Sequence, residues 1–183
     1  MGRSWTTWIA LLRGVNVGGA NIVKMADLRA LLEAEGYRSV STLLQSGNVV
    51  LEAATASADK LRKALGDAME RRFGFRVDIM LRTAAELDQV IEENPFIGRD
   101  LAEIKWLAVM FCEEDVEQRF RAFAEAYEGP EELVPRGREL YVYYTTGMGR
   151  SKLPQAMAPL KISGTVRNWN TLNKLSAAAN RGA

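Results

Sequence analysis

Ser39-Val40-Ser41-Thr42-Leu43-Leu44-Gln45-Ser46-Gly47-Asn48-Val49-Val50-Leu51 is the stretch whose reading decides the fold. Residues 39–44 read as a strand, Gln45–Asn48 as a turn, and Val49–Leu51 as the returning strand of a hairpin. A helical segment lies on either side. Before the hairpin, Met25–Leu32 places Leu28, Leu31 and Leu32 on one face, and Gly36 is positioned to end that helix in the left-handed region. After it, Ser57 is a candidate N-cap. Leu61, Ala64, Leu65, Ala68, Met69 and Phe73 then recur at helical spacing, and Gly74 is the stop. Beyond the helices, Trp5–Leu12 is an apolar run read as a buried strand. Phe75–Arg82 alternates, with Phe75, Val77, Ile79 and Leu81 inward. The order over residues 5–82 is therefore β-α-β-β-α-β, the split-βαβ or ferredoxin-like unit.

A second cycle follows. Thr83-Ala84-Ala85-Glu86 is a capping box that opens a helix carrying Leu87, Val90 and Ile91, and Asn94-Pro95 closes it. Next come a strand over 104–111, a helix over 113–127, strands at 132–134 and 139–144, and a short helix from Ser151. Thr165–Arg167 is read as a last strand, and Leu172, Leu175 and Ala179 mark a terminal helix. The expected architecture is α+β: two split-βαβ (ferredoxin-like) subdomains in tandem, antiparallel sheets with helices on one face, and a C-terminal helix. The expected divisions are residues 1–82, a helical connector at 83–103, and 104–183.

Composition narrows the chemistry. The chain of 183 residues has no histidine and one cysteine, Cys112. Serine–histidine and cysteine–histidine pairs are excluded, as are an intrachain disulfide and cysteine metal clusters. No cofactor and no metal centre is expected. No apolar run approaches the roughly 18 residues of a membrane span, and no signal-peptide core is present. Met1-Gly2-Arg3-Ser4-Trp5-Thr6 fits the loose myristoylation pattern. Strand-forming residues begin at once, however, so the expected setting is the cytoplasm without a membrane partner. The net charge of +1 is unevenly spread: residues 83–135 carry −10 and residues 136–183 carry +7. The basic tail either builds a positive surface or pairs with the acidic segment.

Arg13-Gly14-Val15-Asn16-Val17-Gly18-Gly19-Ala20-Asn21 follows the first strand. It lacks the dinucleotide pattern. It also lacks the lysine and hydroxyl of a P-loop, because Ala20 and Asn21 stand where those belong. Arg13 suits bidentate capture of a carboxylate or phosphate. A tight turn organised by Asn16 and Asn21 is the alternative. Gln45, Ser46 and Asn48 sit at the hairpin. Arg150 and Lys152 flank a second glycine loop that enters a helix. Arg167, Asn168, Asn170 and Thr171 precede the terminal helix, where Asn168 or Asn170 is a candidate cap. Tyr141 and Tyr143 share a strand face, but Arg136–Tyr143 matches the RNA-recognition signature only at Arg136, Gly137 and Tyr143, so core packing is the better reading. The topology is taken to put the first loop and the hairpin at opposite ends of the sheet.

The segments Ala10–Gly19, Gln45–Val50 and Thr165–Thr171, with Asn94-Pro95-Phe96 and Ser151-Lys152-Leu153, give the chain a resemblance to a bacterial family catalogued as domain of unknown function 1697. One departure is visible: Leu43 stands after Thr42, where that family usually has an aromatic. The resemblance implies paired α+β subdomains and no established activity. It marks Arg13, Asn16, Gln45, Ser46, Asn48, Arg167 and Asn168 as motif positions, and Gly18, Gly19, Asn21, Arg150, Lys152, Asn170 and Thr171 complete the candidate ligand-binding set. The leading expectation is a binder of a phosphate-bearing ligand, either nucleotide or nucleic acid. An enzyme on a small polar metabolite and a structural or protein-interaction module are the alternatives. Nothing in the sequence fixes an oligomeric state.

Overall fold

The computed structural model describes residues 4–99 and 104–182. Residues 100–103 of the expected connector, and Met1, Gly2 and Arg3 of the acylation pattern, lie outside them. The first cycle is β1 (Thr6–Leu12), α1 (Met25–Ala34), β2 (Arg38–Leu43), β3 (Asn48–Ala53), α2 (Ala58–Phe73) and β4 (Ile79–Thr83). The second is β5 (Leu107–Cys112), α4 (Glu117–Ala126), β6 (Glu132–Arg136), β7 (Glu139–Tyr143), α5 (Leu153–Met157) and β8 (Gly164–Asn168). Helix α3 (Ala84–Glu92) joins the two cycles, and α6 (Trp169–Ala179) ends the chain's regular structure. Each cycle forms one four-stranded sheet, in the order β2-β3-β1-β4 and β6-β7-β5-β8, with antiparallel pairings throughout. Both are the split-βαβ arrangement expected from the sequence.

The caps act where the sequence placed them. Ser57 accepts from the Lys60 amide, and Gly74 closes α2 at φ 81°. At Thr83 the capping box forms in both directions. Glu86 accepts from the Thr83 amide at 2.7 Å, and the Thr83 hydroxyl accepts from the Glu86 amide at 3.2 Å. The expected strand over 75–82 begins only at Ile79. Its partner β1 ends at Leu12, the residue paired with Ile79, and beyond it only the bond from the Arg13 amide to the Asp78 carbonyl joins the two chains. Phe75 and Val77 still pack partly buried against the core.

Contacts divide the chain into two compact units. One runs to Gln89 and resumes at Lys174; the other is Val90–Asn173. In the first unit, Trp8, Ala10, Leu12, Val49, Leu51, Ile79 and Leu81 of the sheet pack with Leu28 and Leu32 of α1 and Leu61, Leu65 and Met69 of α2. Each such aliphatic side chain contributes about 1.5–3 kcal/mol on burial. The other face of this sheet is buried as well, through Ile9, Leu11, Val50, Met80 and Arg82. Also in this unit, Asp88 accepts from the Ser176 hydroxyl at 2.6 Å and the Asn180 amide at 3.1 Å.

In the second unit, Ala108, Cys112, Leu140 and Val142 meet Val116, Phe120 and Leu153. On its other face Tyr141 donates to the Val90 carbonyl at 2.7 Å, and Phe96 packs at 6.0 Å between ring centroids from Tyr143. Both tyrosines are buried, which removes them as stacking platforms. The two sheets share one further feature: a buried arginine on the last strand, Arg82 opposite Ile9 and Arg167 opposite Val109.

Candidate functional site

At the end of β1 the backbone leaves the core at Arg13, whose amide donates to the Asp78 carbonyl at 2.9 Å. Its guanidinium, half exposed, donates to the Asp78 carboxylate at 3.1 Å. The loop that follows is built from left-handed backbone: Gly14, Asn16, Gly18, Gly19 and Asn21 all have φ between 49° and 78°. Gly18 and Gly19 form a tight turn of the primed kind, closed by Ala20 N–H to the Val17 carbonyl at 3.1 Å. Buried Val15 and Val23 anchor the loop at either side.

Asn16 is the clasp. Its side-chain amide donates to the Val23 carbonyl at 2.8 Å and to the Gln45 carbonyl at 2.7 Å, and its oxygen accepts from the Val23 amide at 2.8 Å. Asn21 donates to the Gly14 carbonyl at 3.3 Å. The bond to Gln45 corrects the expectation that the first loop and the hairpin lie at opposite ends of the sheet. Antiparallel pairing sets Leu11 opposite Asn48, so the end of β1 meets the start of β3. The Leu12 amide then donates to the Gly47 carbonyl at 2.8 Å. Two motifs thus make one surface. Asn16→Ala removes three hydrogen bonds and puts a β-carbon residue with no local partner at φ 56°. A loss of about 2 kcal/mol is expected in urea melts, with Asn16→Gly recovering the backbone part.

The hairpin turn is Leu44–Gly47, one residue earlier than the sequence indicated, with Leu44 at φ 60° and Gly47 at φ 71°. Asn48 is the first residue of β3. It is fully buried and donates to the Leu43 carbonyl at 3.0 Å and the Ser46 hydroxyl at 2.9 Å. Asn48 and Asn16 therefore shape the turn and the loop. Arg13, Gly18, Gly19 and Gln45 are exposed on them.

Sequence reading missed Lys24, which occupies the N-cap position of α1 and makes no side-chain capping bond. A cation is the wrong charge for a helix N-terminus, and Ser, Thr, Asp or Asn is the usual cap. Lys24 is exposed and follows Val23, which Asn16 holds, so it stands at the same end of the unit as Arg13. Its signal was available: a lysine directly before the first helical residue. Val17, Ile22 and Leu44, each more than half exposed, flank the residues that Asn16 ties together.

The remaining motifs lie in the second unit. Asn168 caps α6, accepting from the Thr171 amide at 2.9 Å. Thr171 is buried and Asn170 exposed. Arg167 is buried and donates to the Thr165 hydroxyl at 2.7 Å and the Val166 carbonyl at 2.9 Å. Burial alone lowers its pKa to about 10. Arg150 and Lys152 are exposed on the second glycine loop. Between them, Ser151 donates to the buried carboxylate of Glu131, which also accepts from Tyr127, and Ser151 in turn accepts from the Leu153 amide at 3.1 Å. Burial, then Glu131, pushes the Tyr127 phenol up to about 12. Among the described residues no group of three acidic, Cys or His side chains is placed to hold a metal ion, and no helix is long and apolar enough to cross a membrane.

The solved structure of the conserved bacterial protein SP0830 from Streptococcus pneumoniae is similar to this chain at 26% identity, with a TM-score of 0.76, covering 97% of this chain and 100% of the other. No curated protein matches the chain. A family of proteins of unknown function, DUF1697, matches over residues 5–141, which include both the glycine loop and the hairpin. The chain belongs to that family.

Proposed function

We propose that the chain binds a phosphate-bearing ligand, nucleotide or nucleic acid, at the loop end of its first unit. The observation that carries this reading is that two exposed cationic side chains, Arg13 and Lys24, stand at the end of the unit where the N-terminus of α1 and the glycine loop also lie, with Asp78 and Asp27 the nearby acids. The N-terminus of α1 has a lysine where an acceptor belongs. Arg13 stands half exposed nearby. The glycine loop also leaves open space, with nothing within 4 Å of where a β-carbon would stand on Gly14, Gly18 or Gly19. Backbone amides of such a loop and of a helix N-terminus are natural anion donors. Asn16, Asn48 and Asn168 are committed to internal hydrogen bonds, so their part is to hold loops rather than to read a ligand. An open surface favours an extended ligand, and a cytoplasmic setting belongs to the same proposal.

The test is fluorescence anisotropy with short single-stranded RNA and DNA across a salt series. Affinity is expected to fall linearly in log salt. Arg13→Ala and Lys24→Ala are each expected to reduce the slope by about one unit. No binding at low salt would overturn the nucleic-acid form of the proposal, and slopes untouched by both substitutions would move the site elsewhere. The exposed Val17, Ile22 and Leu44 favour a second reading, a protein-interaction module using the same rigid loop.

A further inference from the structure

The first unit carries a second feature, apart from the loop end. The faces of β1, β3 and β2 that bear Thr7, Ser41, Val50 and Glu52, together with Ala178, Ala179 and Arg181 at the end of α6, enclose an open groove of ≈ 430 Å³. That volume falls within the range of small-molecule sites. Thr7, Ser39, Ser41 and Thr42 all line it, with Thr7 and Ser41 on the groove face of the sheet, and among the described residues no hydrogen bond is made by their hydroxyls. Glu52 lines it too and has no ion pair among the described residues. Arg38, its partner in the β2–β3 register, instead lays its guanidinium 3.9 Å from the Trp5 ring centroid. Arg181 uses only Nε internally, donating to the Ala177 carbonyl at 3.2 Å. The motif asparagines are committed to loops, whereas Thr7, Ser41 and Glu52 share one sheet face along the groove and Arg181 keeps the end of its guanidinium beside it.

The backbone beside the groove is irregular as well. The β2–β3 register shifts between Arg38 and Ser41, and Ser39 sits at φ 49°, a conformation that a serine adopts only when its surroundings demand it. Bulges of this kind often re-aim side chains next to binding sites.

We propose that this groove binds a small zwitterion, a free amino acid or a molecule of that size and charge pattern. The ligand carboxylate pairs with the free end of the Arg181 guanidinium, which matches it in fork geometry. The ligand ammonium pairs with Glu52. The hydroxyls take up the remaining polar edges, and Leu43, Val50 and Ala178 receive an aliphatic side chain. No aromatic residue lines the groove, so it offers no stacking face to a base or a sugar ring.

The experiment uses the full chain, labelled with nitrogen-15, titrated with each standard free L-amino acid up to roughly 10 mM and followed through its amide resonances. An aliphatic amino acid is expected to shift the amides of Ser39–Leu43 and Ala178–Arg181 saturably. Glu52→Gln and Arg181→Gln are each expected to weaken that binding about tenfold, with spectra elsewhere unchanged. The matching amine without a carboxylate and the matching acid without an ammonium are expected to bind about as weakly as those variants. These two analogues test the pairing on the unmodified protein. Binding of either analogue as tightly as the amino acid, no shift by any amino acid, or shifts confined to residues outside the groove would each overturn the proposal.

Discussion

Gly47→Ala is expected to cost about 3–4 kcal/mol, more than any other single methyl added to the loop end. Two independent terms add at this position. The backbone sits at φ 71°, where an L side chain costs about 1–2 kcal/mol. A β-carbon there would also stand 2.7 Å from the Leu12 β-carbon, inside the buried end of β1. That clash is with the root of a side chain, so a rotamer change does not relieve it. The Leu12 amide to Gly47 carbonyl bond lies at the same contact and would be stretched. Gly18→Ala is the control. It has a similar φ of 60° but open space, so only the conformational term applies, about 1 kcal/mol. Paired urea melts measure the difference. Equal losses at the two positions would show that the Leu12 contact carries no energy. Gly47→Ala is also expected to weaken ligand binding at the loop, because Arg13 follows Leu12 directly.

Glu131→Ala is expected to cost about 3 kcal/mol at neutral pH, through two hydroxyls that lose a charged acceptor. Burial pushes the Glu131 carboxyl upward. The hydrogen bonds from Ser151, from Tyr127 and from its own backbone outweigh burial and hold it below the ordinary value of 4.5. A carboxylate with a depressed folded-state pKa adds stability above its unfolded pKa and loses it as pH falls through the folded one. The gap between the wild-type chain and Glu131→Ala is therefore expected to be full near neutral pH. It should begin to close as pH drops below about 4.5, the range where a free carboxyl takes up its proton. Glu131→Gln keeps one acceptor and is expected to lose less, without that closing. Melts between pH 3 and pH 7 would decide the matter, and a gap that does not change with pH would mean that the carboxylate charge contributes nothing.

The frame was legible because each element is signalled locally. The apolar runs Trp8–Leu12 and Leu107–Cys112 are central strands buried on both faces, which is why they do not alternate. Ser57, Gly74 and the Thr83–Glu86 box end or start helices through neighbours within a few residues. Boundaries that depend on a distant partner were less legible. β4 starts late because β1 stops, and α4 starts at Glu117, where the Val116 amide donates to the Gly137 carbonyl and the Gly137 amide donates to the Glu117 carboxylate. The site divides in the same way. Arg13 at a strand end was visible in the sequence. The clasp role of Asn16 was not, because its acceptor on Gln45 lies 29 residues away. The groove was invisible for a stronger reason: Thr7, Glu52 and Arg181 share it from three remote parts of the chain.

The first unit takes in the chain up to Gln89 and then again from Lys174 onward. A ribosome making this protein delivers most of that unit early and its last piece late. At about 5–20 residues per second the delay is on the order of ten seconds. During that interval Asp88 waits without Ser176 and Asn180, and the sheet face that will carry the groove waits without Ala178 and Arg181. The nascent first unit therefore has its full set of contacts only after residues 90–173 have been synthesised.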